Sequence, residues 1–561
     1  MATFKDFSGG QSDSILRGIS GSFAVLIACD IHSVPGQISV NQAMALESAL
    51  IVTELCKNVV AASDGNTYFF SSESGKIWKR TSAGVYTLAH TNTKGACLGA
   101  REYQSYIYYV GAGFVGRQTV ALAASETSWS SQTDAWQTLS QADTVFAPMQ
   151  EVQSILYIGD GYRLAKWDNT TYTDDTTTLN LPTQFRISAL HPSGSDILVG
   201  TYVGTGTTNL IKVNYCKIYK WDTNSTKANS SDVVYECGIN AFIPVDNQIL
   251  VQAGIAGNIY YYDGSQLISL KKVVGTYSST QYGLVYANAA SIFKGYPVFG
   301  FSNSPDTANS TGNPASCGVY SLGQHNKNYP RVLNLEYPVS CVLPLVSVEV
   351  GCIAALGNTI LASWKKRSTI TMTIANPGVV TYTAHGLNNG AAIVFATTGA
   401  LPTGVTAGTT YYIGNGATNT FNLYDTSANG VTGGATGRIT TSGSQSGTHT
   451  ASTFGVDALS ASAKYASAYL ETLVLTDENF DKKMVEFFAG YVSMPASCSV
   501  TFSYKKNYAS SYTAISDAVD ETAQAVIHKK ENLSGVRSIQ MKVAFTISSN
   551  SSPILDYIGI R

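Results

Sequence analysis

Asn258–Gly264 reads NIYYYDG, three tyrosines in a row that stop at Asp-Gly. In an extended strand, Ile259 and Tyr261 share one face while Tyr260 and Tyr262 share the other. Asp263-Gly264 then supplies a tight turn. A strand with aromatics on both faces needs cover on both faces, so this string predicts a sheet packed between two neighbours.

Strings of the same design recur along the chain. They are GKIWKR at Gly75–Arg80, YRLAKWDN at Tyr162–Asn169, KIYKWDT at Lys217–Thr223 and GVYSLG at Gly318–Gly323. The apolar positions Ile77, Leu164, Ile218, Ile259 and Val319 are separated by 87, 54, 41 and 60 residues. The first gap is about double the 41-residue one, as if one copy lacks the aromatic signature. A second, more apolar series fills it: TYFFSS from Thr67, YIYYVG from Tyr106, ILYIGDG from Ile155, DILVGT from Asp196, QILVQAG from Gln248, PVFGFS from Pro297 and TILASW from Thr359. Their spacings are 39, 49, 41, 52, 49 and 62 residues. Such a period fits propeller blades of four antiparallel strands. One small sheet cannot bury both of its faces, so blades stack around an axis. The expected fold is all-β, a seven-bladed β-propeller.

Two propeller families are weighed against these strings. Trp167-Asp168 and Trp221-Asp222 are W-D pairs, but the Gly-His partner of WD repeats is missing. SDGNTY at Ser63–Tyr68 is a partial, out-of-register match to a sialidase box.

Composition agrees with an all-β reading. Charged residues make up 13% of the 561 residues, against about 25% in ordinary domains. Tyrosines number 34 and glycines 50, and long amphipathic Glu/Lys/Leu runs are nearly absent. Net charge is −2 with no Lys/Arg cluster, which argues against sequence-reading DNA binding. No apolar run reaches the ~18–20 residues of a membrane span. The opening MATFKDFSGGQSDSILRG has neither the basic start nor the apolar core of a signal peptide. The nine cysteines are scattered and form no C-x-x-C, so they read as buried thiols of a protein made in cytoplasm.

The composition shifts after TILASWKK. Residues 368–451 are rich in Thr, Gly, Asn and Ala, with short alternating strands between N-P-G and N-N-G turns. They predict a small β-barrel or sandwich inserted in a loop of the last blade. The blade pattern resumes over 452–475. Residues 476–561 alternate apolar and polar positions and predict a C-terminal jelly-roll-like β-sandwich. Residues 1–28 are expected as an extended N-terminal arm, and 29–367 with 452–475 as the propeller.

Motifs of catalysis are missing. His32, His90, His191, His325, His385, His449 and His528 show no metal-ligand spacing, and no nucleophile elbow, Walker loop or EF-hand loop occurs. Paired carboxylates need be close only in space, so Asp160, Asp174 and Asp175 are the nominal acid candidates. Solvated loop acids are the simpler reading, and no catalytic, metal-binding or cofactor-binding residue is expected. Tyr-, Asn- and Ser-rich loops suit sugar stacking or protein–protein contact alike.

The strings FSGGQSDSIL at Phe7–Leu16 and CDIHSVPGQISVNQAMALES at Cys29–Ser48 resemble the G-x-D-I-H-S-x-P-G opening of β-propeller virion proteins of tailed bacteriophages. Asp30, Ile31, His32, Ser33, Pro35 and Gly36 match, while Cys29 stands where Leu or Met is more usual. The insertion, with HGLNNGAAIVF, LPTGVTAGTTYYI and TFNLYDT, looks like a small β module of phage tail and neck proteins. The resemblance covers most of the chain and is more specific for a phage structural protein than for which one. It implies no catalysis and no cofactor. It implies a virion tail tube or nozzle component, a ring of identical copies, six by expectation, around a channel that passes DNA unread. Its partners would be itself and neighbouring tail or adaptor proteins. Phe4 and Phe7 would anchor the polar arm on such a neighbour. A host-surface glycan receptor is the alternative role, and a propeller glycosidase a third.

Overall fold

A computed structural model describes residues 2–5, 7, 9–12, 16, 21–34, 36–48, 51–123, 129, 133–203, 215–246, 248–254, 257–271, 286–302, 317–324, 331–340, 347–476, 484–515, 526–533 and 535–560. Pro35 and His325, singled out above, and Cys341, one of the nine cysteines, lie outside the described residues, as do 1, 6, 8, 13–15 and 17–20 of the expected arm.

The chain is all-β, and seven sheets follow one another along it. Sheet I holds Cys56–Ala61, Thr67–Ser71, Lys76–Arg80 and Tyr86–Thr91. Sheet II holds Gly99–Tyr103, Tyr106–Gly111 and Phe114–Thr119. Sheet III holds Met149–Val152, Ile155–Asp160, Arg163–Trp167 and Tyr172–Thr173. Sheet IV holds Phe185–Ser193, Asp196–Val203, Cys216–Trp221 and Ser230–Val234. Sheet V holds Ile239–Val245, Gln248–Ala253, Asn258–Tyr262 and Leu267–Lys271. Sheet VI holds Ala290–Phe293, Tyr296–Phe301, Gly318–Gly323 and Val332–Tyr337. Sheet VII holds Ser347–Leu356, Thr359–Met372, His449–Lys464 and, from the other end of the chain, Gln42–Leu46. The first strand of each sheet packs beside the first strand of the next, and Ser347–Leu356 packs beside Cys56–Ala61, so the series closes on itself.

The seven apolar segments read from the sequence are the second strands of these sheets. The aromatic strings are third strands in sheets I, III, IV, V and VI. The third strand of sheet II, FVGRQT at Phe114–Thr119, is the copy without the aromatic ending. The tyrosine string spans its sheet as expected. Ile259 is fully buried in a core shared with Phe299 and Leu322 of sheet VI, while Tyr262 packs with Ile218 and Val234 of sheet IV. The hydroxyls are used too. Tyr260 donates to Glu236 at 2.5 Å, Tyr262 donates to Asp232 at 2.6 Å, and Tyr261 accepts from Arg331 Nε at 3.1 Å. Buried phenols keep a polar partner at their tips. The turn after the string is closed by Asp263, whose carboxylate accepts from the Ser265 and Gln266 amides at 2.9 Å. Asp168 and Asp222 of the W-D pairs close equivalent turns.

The insertion is rooted in strands rather than in a loop. Thr359–Met372 and His449–Lys464 stay paired from Leu361↔Ala458 to Ile370↔His449, well past the sheet they begin in. Between them Val379–Thr381, Thr420–Tyr424, Thr410–Gly414 and Ala392–Thr397 pair in that order, and the last pairs back onto His449–Lys464. The six strands close a small barrel around Ile370, Val380, Ile393, Phe395, Ile413 and Phe421. Closure leaves it no free sheet edge.

The two ends of the chain share one sandwich, which corrects three expectations. One of its sheets runs Ala2–Phe4, Ile554–Ile560, Met484–Ser493, Val526–Asn532. The other runs Phe23–Ile27, Tyr469–Thr472, Ser538–Thr546, Ser499–Lys506, Thr513–Ala514, and joins sheet VI at Ile27↔Leu335. Residues 1–28 therefore contribute two strands to the sandwich rather than an extended arm. The sandwich is not confined to 476–561, and Tyr469–Thr472 belongs to it instead of the 452–475 return. The cause is edge pairing and burial: Ala2–Phe4 completes the edge of Ile554–Ile560, and Phe7 and Phe23 fill the core beside it.

Candidate functional site

The Asp30–Gly36 string forms the turn by which the chain leaves the sandwich and crosses the outer side of sheet VI. Ala28 turns the strand with φ 58, its amide donating to the Leu335 carbonyl at 3.0 Å. Cys29–Asp30 then pairs with Ser39–Val40. Asp30 Oδ1 accepts from the amides of His32 and Ser33, each at 3.0 Å, and so fixes the turn between those strands. The His32 ring lies on Gly323 and faces Tyr296 at 5.4 Å between centroids. A Cβ on Gly323 would stand 2.3 Å from His32 Cε1, so only glycine admits the ring there.

Between this turn and sheet VI lies a cavity of about 260 Å³, whose walls include Asp30, His32, Asn41, Tyr296, Ser321 and Glu336. Glu336 is 7% exposed and accepts from the Tyr337 hydroxyl at 3.1 Å. Asn41 is 8% and Ser321 1% exposed. Asn41 Nδ2 and Ser321 Oγ have no hydrogen-bond partner among the described residues. Beneath the turn, Lys464 Nζ donates to the Val40 carbonyl at 2.5 Å. Burial pulls the Lys464 pKa down, and the Asp30 charge opposes that.

The residues expected to anchor a neighbour face inward instead. Phe7 is fully buried and stacks on Phe23 at 5.6 Å, with Phe4 at 5.6 Å from the same ring. The polar composition around them hid this, because the strand that Ala2–Phe4 pairs with, Ile554–Ile560, lies more than 540 positions away, and Phe23, which both rings meet, stands beyond a polar stretch.

Of the three nominal acids, two come together. Asp160 Oδ2 accepts from the Gln141 amide at 2.6 Å, and Asp174 Oδ2 accepts from the Ser140 amide at 2.6 Å. Burial pushes the Asp160 carboxyl up to about 6, with the Asp174 charge adding to the rise. Asp160 is 0% exposed, which shields it from any substrate in this arrangement. Asp175 is apart from the pair and caps its own turn through Thr177. The histidines serve separate contacts: His90 meets Asp134 at 2.7 Å, His385 the Ala417 carbonyl at 2.6 Å, His449 Thr397 at 2.8 Å and His528 Glu486 at 2.8 Å. Among the described residues no three His, Cys, Asp or Glu side chains gather as a metal site. Cys29, Cys56, Cys97, Cys216, Cys237, Cys317, Cys352 and Cys498 are free thiols, and burial raises the pKa of Cys29, Cys97 and Cys352.

The cavity residues Asn41, Tyr296, Ser321 and Glu336 were not legible as a group. They come from an N-terminal segment and three strands of sheet VI, and each alone reads as an ordinary strand or turn residue. The one local signal is the Asp30–Gly36 string itself.

No family model matches the chain, and no curated protein matches it. Among solved structures it is similar to the WD40 repeats of RRP9, at 10% identity and a TM-score of 0.37 over 57% of this chain and 92% of that one. It is similar to an exo-beta-1,3-galactanase from Phanerochaete chrysosporium, at 8% identity and a TM-score of 0.30 over 93% and 100% of the two chains. The computationally designed Ika8 protein aligns at 11% identity and a TM-score of 0.32 over 57% and 96%.

Proposed function

We propose that the chain is a non-enzymatic structural protein of a bacteriophage virion, a tail tube or nozzle component. In this reading the seven sheets are the blades of a β-propeller. The sandwich is a jelly roll whose strands cross between its two sheets from Tyr469 onward. Copies assemble as a ring, six in number, around a channel for passing DNA, and neighbouring tail or adaptor proteins cap the ring.

One observation carries the reading: the three bodies are joined by backbone pairing, two strands running through from sheet VII into the barrel and the sandwich meeting sheet VI at Ile27↔Leu335. Thr359–Met372 and His449–Lys464 belong to both sheet VII and the barrel. The sandwich sheet of Phe23–Ile27 merges with sheet VI. Hinges need short, exposed linkers with few crossing contacts, and these junctions are backbone-paired instead. A block without hinges suits a load-bearing part of a particle. The Asp30–Gly36 string, which resembles the opening of phage propeller proteins, lies at one of these junctions. A net charge of −2 suits a conduit that does not hold phosphates.

The test is assembly. Mass photometry of the purified chain, with and without its particle neighbours, is expected to show a discrete oligomer of six copies. A chain that stays monomeric with every neighbour supplied would refute the ring.

A further inference from the structure

We infer that the cavity under the Asp30–Gly36 turn is a binding site for a small neutral polyol, a single sugar residue in size. The inference is separate from the ring proposal and stands or falls without it.

Three features of the cavity select that chemistry. Its volume of about 260 Å³ is below the roughly 300–1,000 Å³ of drug-sized ligand sites and leaves room only for a smaller molecule. Its unmatched hydrogen-bonding groups are mixed. Asn41 Nδ2, a donor, and Ser321 Oγ, which donates and accepts, have no partner among the described residues, and beside them stand the Asp30 and Glu336 carboxylates, which accept from His32, Ser33 and Tyr337 and keep acceptor capacity to spare. Leaving such buried groups unmatched is unfavourable, so an occupant that matches them gains on binding. A hydroxyl both gives and takes, so a polyol can meet the amide and the carboxylates together. An ammonium ion would meet only the acceptors and leave Asn41 Nδ2 bare. Third, Tyr296 lines the cavity, and an aromatic side chain there gives the apolar face of a sugar ring a surface to pack against.

The walls are rigid, which favours a preformed site. Asp30 is tied to two amides of the turn, His32 is seated on Gly323, and Ser321 and Glu336 lie on paired strands of sheet VI.

Saturation-transfer NMR on the full chain tests this with D-glucose, D-galactose, D-mannose and N-acetyl-D-glucosamine as separate probes, and methylammonium as the cationic control. At least one sugar is expected to give a signal, weakened about tenfold or more in Kd by Asn41→Leu and by Ser321→Val. Methylammonium is expected to give none. Circular dichroism and thermal midpoint check that each variant is folded, and Ser321→Thr, which keeps the hydroxyl, is expected to retain binding. No sugar signal, a sugar signal that both variants leave intact, or binding of methylammonium in preference to the sugars would overturn the proposal. A crystal soak in the best sugar that shows only ordered water in the cavity would overturn it as well.

Discussion

Phe7→Ala is the substitution that best separates an inward-packed N-terminus from one that reaches for a neighbour. The Phe7 ring is 0% exposed and stacks on Phe23 at 5.6 Å inside the sandwich core. Truncating a buried Phe to Ala removes its transfer free energy and leaves a cavity, about 3–5 kcal/mol together. The stacked pair accounts for roughly 1 kcal/mol of that. For 561 residues melting as one block the loss lowers the thermal midpoint by roughly 3–4 °C. Calorimetry reads the shift on the isolated chain, with no partner present. Limited proteolysis adds the location, since the cuts are expected in the sandwich, and Ile554–Ile560 loses its cover. Removing residues 1–5 as well strips the Ala2↔Ile560 to Phe4↔Ile558 pairing and should enlarge the effect. An unchanged midpoint in the isolated chain, with defective incorporation into particles, would refute the reasoning and restore the anchoring role first expected for Phe4 and Phe7.

Three further outcomes are expected. Asp160 has its carboxyl raised from 3.8 to about 6 in the fold, so the native state holds the proton more tightly and stability falls as pH climbs from about 4 to about 6, by up to ~3 kcal/mol. Asp160→Asn is therefore expected to be more stable than the parent in urea titrations at neutral pH, with the difference closing near pH 4; equal stability at neutral pH would contradict it. Gly323→Ala places a methyl 2.3 Å from His32 Cε1 and is expected to displace the His32 ring, seen as a shifted His32 resonance and loss of a few kcal/mol; an unmoved His32 signal would count against the seating. Met44→Asp puts a charge at a position 3% exposed in the strand that completes sheet VII. Because that strand completes sheet VII from the other end of the chain, the substitution is expected to cost several kcal/mol and to raise hydrogen exchange in Ser347–Leu356 and Thr359–Met372; exchange confined to Gln42–Leu46 would show that sheet VII does not act cooperatively.

The sheet series was legible because its signal is local. Each second strand, from Thr67–Ser71 to Thr359–Met372, is apolar on both faces, and each recurs within a range one blade requires. The turns were legible for the same reason, since Asp263, Asp168 and Asp222 bind amides two and three residues ahead. The barrel was visible as composition, but its roots were not. The composition shift after TILASWKK marks the insertion, but nothing in it shows that one strand, Thr359–Met372, runs across the boundary and belongs to both sheet VII and the barrel. The return of the N-terminus was hidden more deeply. Phe4 and Phe7 stand in a polar stretch, and the strand that pairs with Ala2–Phe4 lies more than 540 residues away. Pairing at that separation leaves no periodic trace in either segment. The cavity under the Asp30–Gly36 turn is the same case: its string was conspicuous, yet the purpose of the residues opposite it depends on sheet VI lying alongside.

Single-particle electron microscopy of the purified chain, alone and with the proposed tail neighbours, tests the proposed structural role most directly. The account predicts a closed, rotationally symmetric ring of six copies with an axial opening, each copy a hinge-free block in which barrel and sandwich hold fixed positions on the sheet ring. A lone subunit under every condition, or a barrel and sandwich that swing independently of the sheets, would contradict it.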